Sequence, residues 1–254
     1  MAYERFAAAY DRLMEDMPYP EWLAFLAEAW DRLGMEKPRV LADLGCGTGS
    51  LAIPLAQSGI RVYGIDLSEH MLAIASDKEA EMRRSGGSAA AEIVWLQQDM
   101  RELALPEQVD AAFSFCDCLN YLTEEEDLAK TFRAVYDALR PGGAFLFDVH
   151  TPALLERYAD EQPFTLNEPD AAYIWTCELD IGRCQIEHAL TIFLAGDDGR
   201  FDRIEEVHVQ RAYPLDKLER MLRDAGFGRI EQAADFRWRA PGRETQRAFF
   251  AAVK

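Results

Sequence analysis

The chain has 254 residues, 49% of them hydrophobic, enough for one enlarged domain with a substantial core, and no run approaches the roughly 20 apolar residues of a membrane-spanning helix. A formal net charge of −18 argues against a nucleic-acid partner, because a protein that holds DNA or RNA must neutralise phosphates with lysine and arginine. Five cysteines without C-x-x-C or Cys/His metal spacing, and a start that lacks the basic-then-apolar pattern of a signal, point to reduced packing thiols, no metal and the cytoplasm.

In chain order, residues 3 to 34 read as two helices. Phe6, Tyr10, Leu13 and Met14 recur at helical spacing, then Trp22, Phe25, Leu26, Ala29 and Leu33, with Gly34 as the stop. Val40-Leu41-Ala42-Asp43-Leu44 is a strand that passes straight into Gly45, Gly47 and Gly49, and 51 to 56 reads as a helix. Strand, glycine loop and helix together are how a doubly wound sheet presents a nucleotide. Arg61-Val62-Tyr63-Gly64-Ile65-Asp66 is a second strand, ending in an acid about 20 residues after the first glycine, the spacing of a carboxylate that binds ribose hydroxyls. Ser68 caps a helix over 69 to 84, with Met71, Leu72, Ile74 and Ala75 inward and Ser85-Gly86-Gly87-Ser88 as a surface break.

Further strands follow at 93 to 96 and 109 to 115, then a helix capped by Thr123 and running to Leu139. Pro141-Gly142-Gly143 turns into a fifth strand ending near Asp148. Three alternating stretches, 173 to 180, 184 to 195 and 201 to 213, read as antiparallel strands; a helix through Leu218, Met221 and Leu222 stops at Gly226, and two strands, 229 to 233 and 245 to 253, end the chain. The expected fold is α/β: a doubly wound, Rossmann-like seven-stranded sheet. Residues 1–150 and 214–254 form the core, 1–36 a helical lid, and 151–213 an antiparallel insertion serving as substrate roof or homodimer surface.

The loop has the spacing G-x-G-x-G with Asp43 two residues upstream, where an acid would repel a diphosphate and attract a cation. With Asp66, Gln97-Gln98-Asp99-Met100 and Pro141-Gly142-Gly143 in this order, the chain resembles the class I S-adenosylmethionine-dependent methyltransferases over roughly residues 40 to 150. That resemblance implies S-adenosyl-L-methionine as cofactor and S-adenosyl-L-homocysteine as product. It puts Asp43 near the cofactor's amino group, Gly45, Cys46, Gly47 and Gly49 along its methionine and ribose, Asp66 on the ribose, Leu67 on the adenine face, and Asp99 and Met100 at the adenine edge. Cys116 falls at the exit of the fourth strand, where substrate meets the methyl. Tyr10 would close over the cofactor from the lid, with Tyr3, Tyr19 and Trp22 as weaker choices.

On the substrate side, Asp117, Asn120 and Tyr121 could orient an acceptor, and His150 could serve as general base or could satisfy loop carbonyls. His188 falls in a strand on a mainly apolar face, and Arg237, Arg239, Arg243 and Arg247 read as a solvated basic face. No catalytic residue stands out. The expected activity is methyl transfer to a nitrogen or oxygen of a small molecule; a non-catalytic cofactor-binding protein and a nicotinamide-dependent dehydrogenase are the alternatives.

Overall fold

Strands covered by helices on both faces need apolar side chains at successive positions, and the first strand, β1 (Val40–Leu44), is buried at every one. The computed structural model describes residues 11, 14, 16–85, 91–196 and 198–254. Its first described helix, α1 (Tyr19–Leu33), ends on Gly34 in the left-handed region and precedes β1. Then come α2 (Ala52–Gln57), β2 (Arg61–Asp66), α3 (Glu69–Arg84), β3 (Ile93–Gln97), β4 (Val109–Ser114), α4 (Glu125–Ala138) and β5 (Leu139–His150). The chain continues through α5 (Pro152–Glu161), β6 (Phe164–Asn167), β7 (Ala171–Asp180), β8 (Gln185–Ala195) and β9 (Phe201–Arg211), and ends with α6 (Leu215–Ala225), β10 (Arg229–Ala234) and β11 (Arg247–Val253).

Seven strands form one sheet in the order β10-β11-β5-β4-β1-β2-β3, in which β11 alone runs against the other six. Because β1 pairs with both β2 and β4, connections leave it in opposite directions, and the carboxyl ends of β1 and β4 flank the crevice such sheets offer a ligand. Alternation sorts the core: Phe145, Phe147 and Phe250 pack on the α4 and α6 side, whereas Leu41, Phe113, Leu146 and Phe249 meet Trp22, Phe25 and Leu26 of α1. No described helix is long and apolar enough to cross a membrane.

β6-β7-β8-β9 make a separate antiparallel sheet between β5 and α6. Three strands were expected there; α5 and β6 are additional. β6 has four residues and pairs only with β7, and α5 fully buries only Leu154 and Leu155, so neither has a strong periodic signal. Two local expectations also change. Thr123 does not cap α4, whose N-cap is Glu124 without a side-chain bond; the acids of the first turn, Glu125, Glu126 and Asp127, complement the helix dipole instead. Pro141-Gly142-Gly143 is a bulge within β5: Leu139 faces Val109, and the register resumes only at Ala144 opposite Ala111. Ser68 caps α3 as expected, accepting from the Met71 amide at 3.3 Å. The first expected helix, with Tyr3 and Tyr10, lies outside the described residues apart from Asp11 and Met14, as does the break at 86–88.

Candidate active site

The glycine loop is hung from the neighbouring strand: the amides of Gly45 and Cys46 both donate to the Ile65 carbonyl, at 2.8 and 3.0 Å. Gly45 has φ +75°, and a Cβ there would lie 2.1 Å from Cys118 Sγ, so no side chain fits. At Gly47 nothing stands within 4 Å of such a Cβ, which leaves the backbone open to a close-approaching ligand. Asp66 ties the loop to the next helix, one carboxylate oxygen accepting from the Gly47 amide and the other from Ser68, both at 2.9 Å.

Beside the loop is a cavity of about 40 Å³ lined by Tyr19, Asp43, Gly45, Cys46, Gly47, Thr48, Ser50, Leu51, Phe115 and Cys116. Asp43 is 2% exposed and its Oδ2 has no partner. Burial, reinforced by the nearby Asp66 charge, pushes its carboxyl well above the ordinary range. Such a group calls for a cation, and the lining supplies none. The same burial raises the thiols of Cys46 and Cys116, which favours their protonated form.

Of the other expected cofactor residues, Leu67 is 63% exposed, an apolar side chain left open beside Asp66. Gln98 donates its amide to the Asp66 carbonyl at 3.2 Å, bringing the β3 exit alongside, and Met100 Cε reaches under the loop to 3.8 Å from the Gly45 Cβ position. Asp99 is held by Arg101, whose Nε lies 2.9 and 3.0 Å from its two oxygens, and this pairing keeps its carboxyl below the usual range. Gly49 is not in the lining: a Cβ there would meet Trp95 at 2.8 Å, so its part is to let the loop pack on β3. Tyr10 lies outside the described residues, and the aromatics lining the cavity are Tyr19 and Phe115. From the N-terminal segment, Asp11 accepts from Thr48 Oγ1 at 2.5 Å and from Lys78 Nζ at 2.9 Å.

At the exit of β4 the chain turns through Cys116 and Asp117, both with positive φ, 59° and 53°. Asp117 there joins a buried network. Arg247 at the start of β11 contacts Asp148 Oδ2 and reaches Asp117 Oδ1 at 3.1 Å, with His150 Nε2 also 3.1 Å from that oxygen. Gln210 of β9 donates to Asp117 Oδ2 at 2.7 Å. Burial opposes ionisation of Asp117, but His150, Arg247 and Gln210 outweigh it and hold the carboxyl below its usual range. Trp175 Nε1 can only donate, and it does so to His188 Nδ1 at 3.1 Å; burial pushes that imidazole down to about 4, so it is neutral near pH 7. The insertion thus faces the strand ends and is bonded to them.

Comparison with known proteins meets this geometry. A family model described as a methyltransferase domain matches residues 41–143. A methyltransferase of Geobacillus sp. (strain WCH70) is 40% identical over 254 residues, covering 100% of both chains. The chain is a class I S-adenosylmethionine-dependent methyltransferase. A solved S-adenosylmethionine-dependent methyltransferase from Clostridium acetobutylicum ATCC 824 superposes with a TM-score of 0.84 at 25% identity, covering 100% of this chain and 99% of that one. A sugar N-methyltransferase from Streptoalloteichus sp. ATCC 53650 shares the fold, with a TM-score of 0.70 at 20% identity over 96% of this chain and 92% of its own.

Several substrate-side expectations for this methyltransferase change. Asn120 is 1% exposed and its amide is used up: Nδ2 donates to the carbonyls of His150 and Arg211, and Oδ1 accepts from the His150 amide. It fixes the β5 end and offers nothing to an acceptor. His150 is 5% exposed, so the structural alternative fits it better than a general base in contact with substrate. Arg247 is not part of a solvated face, although Arg237, Arg239 and Arg243 are exposed; its side chain is 14% exposed between two carboxylates. Tyr121 stays available, 48% exposed, with its hydroxyl 3.4 Å from His208 Nδ1. Gln210 and Trp175 drew no attention in the sequence, where each reads as one more strand position.

Proposed function

We propose that the enzyme methylates a nitrogen or oxygen of a small molecule held between the carboxyl ends of β4 and β5 and the inserted sheet, with S-adenosyl-L-methionine in the crevice at β1. The observation that carries the reading is the unpartnered carboxylate of Asp43 in a cavity next to an open glycine backbone. An α-ammonium group supplies the counterion that Asp43 lacks, whereas a pyrophosphate would bring a second negative charge to a buried one. Asp66 would take the ribose hydroxyls, exposed Leu67 the adenine face, and Asp99 and Met100 the adenine edge. Gly45, Cys46, Gly47 and Cys116 would border the methionine portion. When bound, the cofactor supplies a methyl already activated by its sulfonium.

The chain's own part is then alignment and exclusion of water, by which holding the nucleophile in line lowers the barrier. The Asp117, Asp148 and Arg247 network fixes the β4 exit, and the 151–213 insertion acts as roof. Five free cysteines are consistent with the cytoplasm. Titration calorimetry with S-adenosyl-L-methionine and S-adenosyl-L-homocysteine, followed by mass spectrometry of an amine and alcohol panel, tests the reading. Binding of both and a mass gain of one methyl on a panel member are expected. Binding of a reduced nicotinamide dinucleotide in their place would overturn it.

A further inference from the structure

The inner face of β9 carries Ile204, Glu206, His208 and Gln210, alternate residues of one strand. Three of them locate that face. Gln210 bonds Asp117, His208 stands against Tyr121, and Ile204 packs with Met71 of α3, which begins just after the Asp66 turn. Glu206 therefore looks into the space between the roof and the crevice, about 7 Å along the strand from His208. It is 9% exposed, and among the described residues it has neither a hydrogen bond nor an ion pair. Its cross-strand neighbour is Leu190.

A largely buried carboxylate without a partner favours a cation or a proton beside it, and burial raises this carboxyl above its ordinary value. The face offers no cation. Burial lowers the imidazoles of both His188 and His208, and Arg203, on the opposite face of β9, is paired with Glu205. Arg247 and Gln210 are engaged with Asp117 and Asp148. Asp43 poses this problem in its stronger form, with Oδ2 wholly enclosed, and on the reading above is answered by the cofactor; Glu206 belongs to β9 of the inserted sheet. The net charge of −18 also draws small cations toward the molecule.

We propose that Glu206 is the acceptor-recognition residue of this methyltransferase and that it binds an ammonium group of the substrate. Resting on the small-molecule reading, this narrows the acceptor to an amino alcohol or a diamine. The held nitrogen keeps its proton and has no free lone pair, so the methyl goes to a second, neutral N–H or O–H of the same molecule, which gives up its proton to solvent as S-adenosyl-L-homocysteine leaves. Tyr121 and His208 border the path between the two ends.

The test is a thermal-shift screen on the protein saturated with S-adenosyl-L-homocysteine. The library holds amino alcohols and diamines beside the same carbon skeletons with the ammonium replaced by methyl or by carboxylate. Stabilisation is expected only from cationic members, with their affinity reduced about tenfold or more in Glu206→Gln, the loss of one charged hydrogen bond. Glu206→Lys should shift the preference to the carboxylate analogues. Calorimetry of S-adenosyl-L-homocysteine on each variant separates the proposal from the reading beneath it. Unchanged cofactor-product affinity with cationic and neutral analogues binding alike, or with no cationic member binding, overturns the role of Glu206 and leaves the methyltransferase intact. Weakened S-adenosyl-L-methionine binding in Glu206→Gln, with amine binding unaltered, overturns it by giving this carboxylate to the cofactor.

Discussion

Asp43 and Asp148 lie near the ends of β1 and β5, on either side of β4 in one sheet, and both are enclosed, yet their surroundings are opposite in kind. Asp148 has the Arg247 guanidinium against one oxygen and Trp22 Nε1 at 3.3 Å from the other, with the Asp117 amide also within 3.3 Å. Asp43 has an unpartnered oxygen, and its nearest charged influence is another acid, Asp66. The paired acid belongs to the frame that shapes the substrate side. On the proposed reading, the unpaired one is half of an ion pair whose other half comes from solution. Where a fold tolerates an uncompensated buried charge, a ligand is the physical reason to look for first.

The contrast is broken most severely by removing the cation from the paired side. Arg247→Met leaves Asp148 buried without its cation and Asp117 with only His150 and Gln210, and breaking a buried pair from one side costs about 3–5 kcal/mol. Urea denaturation of the ligand-free protein measures this; a change below about 1 kcal/mol would mean the network is not holding charge. Arg247 also lies over the Trp22 ring at 5.1 Å, so the same variant loosens the contact between α1 and the sheet.

Asp66 stands between the two extremes, because backbone amides of Gly47 and Ser68 satisfy it without a counter-charge. Asp66→Ala should therefore act twice, lowering S-adenosyl-L-methionine affinity by about 1.5–3 kcal/mol and lowering ligand-free stability by about 1–3 kcal/mol as two amides lose their acceptor. Calorimetry and denaturation read the two effects separately. Unchanged affinity would remove Asp66 from the cofactor site.

Asp43→Asn sharpens the comparison by splitting those signs. Ligand-free stability holds or rises, since a buried carboxyl that must either keep a proton or bear an unpaired charge is gone, while cofactor affinity falls by about 1.5–3 kcal/mol. Because the folded carboxyl is raised above 3.8, the folded state keeps a proton that the unfolded state has already lost. Stability from this group is thus present at low pH and is lost as pH climbs from the ordinary carboxylate range through the raised value. An arriving ammonium lowers that value again and expels the proton. Binding enthalpy in buffers of different ionisation enthalpy should report proton release in that window, smaller in Asp43→Asn; equal release in both would place the proton elsewhere.

The frame was far more legible in the sequence than the substrate side. β1, β2 and the glycine loop are coded locally: buried parallel strands need unbroken apolar runs, and the loop needs glycine where Gly45 meets Cys118. Asp43 and Asp66 could be singled out because each ends a strand at a fixed offset from that loop. Arg247 could not, since one arginine among Arg237, Arg239 and Arg243 looks solvated until β11 pairs with β5 and sets it opposite His150. Glu206 and Gln210 depend on which face of β9 turns inward, and alternation gives two faces without saying which is covered. Asn120 shows the converse: its position was right, but its hydrogen bonds run to the distant residues His150 and Arg211.

The smallest expected effect concerns how the unpaired side is closed. Lys78 of α3 bonds Asp11 at 2.9 Å and Thr48 Oγ1 at 3.2 Å, so one ammonium joins the N-terminal segment to the glycine loop across the crevice. Both charged side chains are about a third exposed, 34% and 36%, and a pair of that kind contributes about 0.2–1 kcal/mol. Lys78→Met should accordingly leave the melting temperature nearly unchanged. A contact that must open before the cofactor leaves shows itself in a rate, however, and stopped-flow displacement should find dissociation several-fold faster. In the parent that rate should rise with salt as the pair is screened, and in Lys78→Met the salt dependence should flatten. A dissociation rate indifferent to both the substitution and ionic strength would separate the Asp11 contact from cofactor retention and leave Asp43 as the charge that sets residence time.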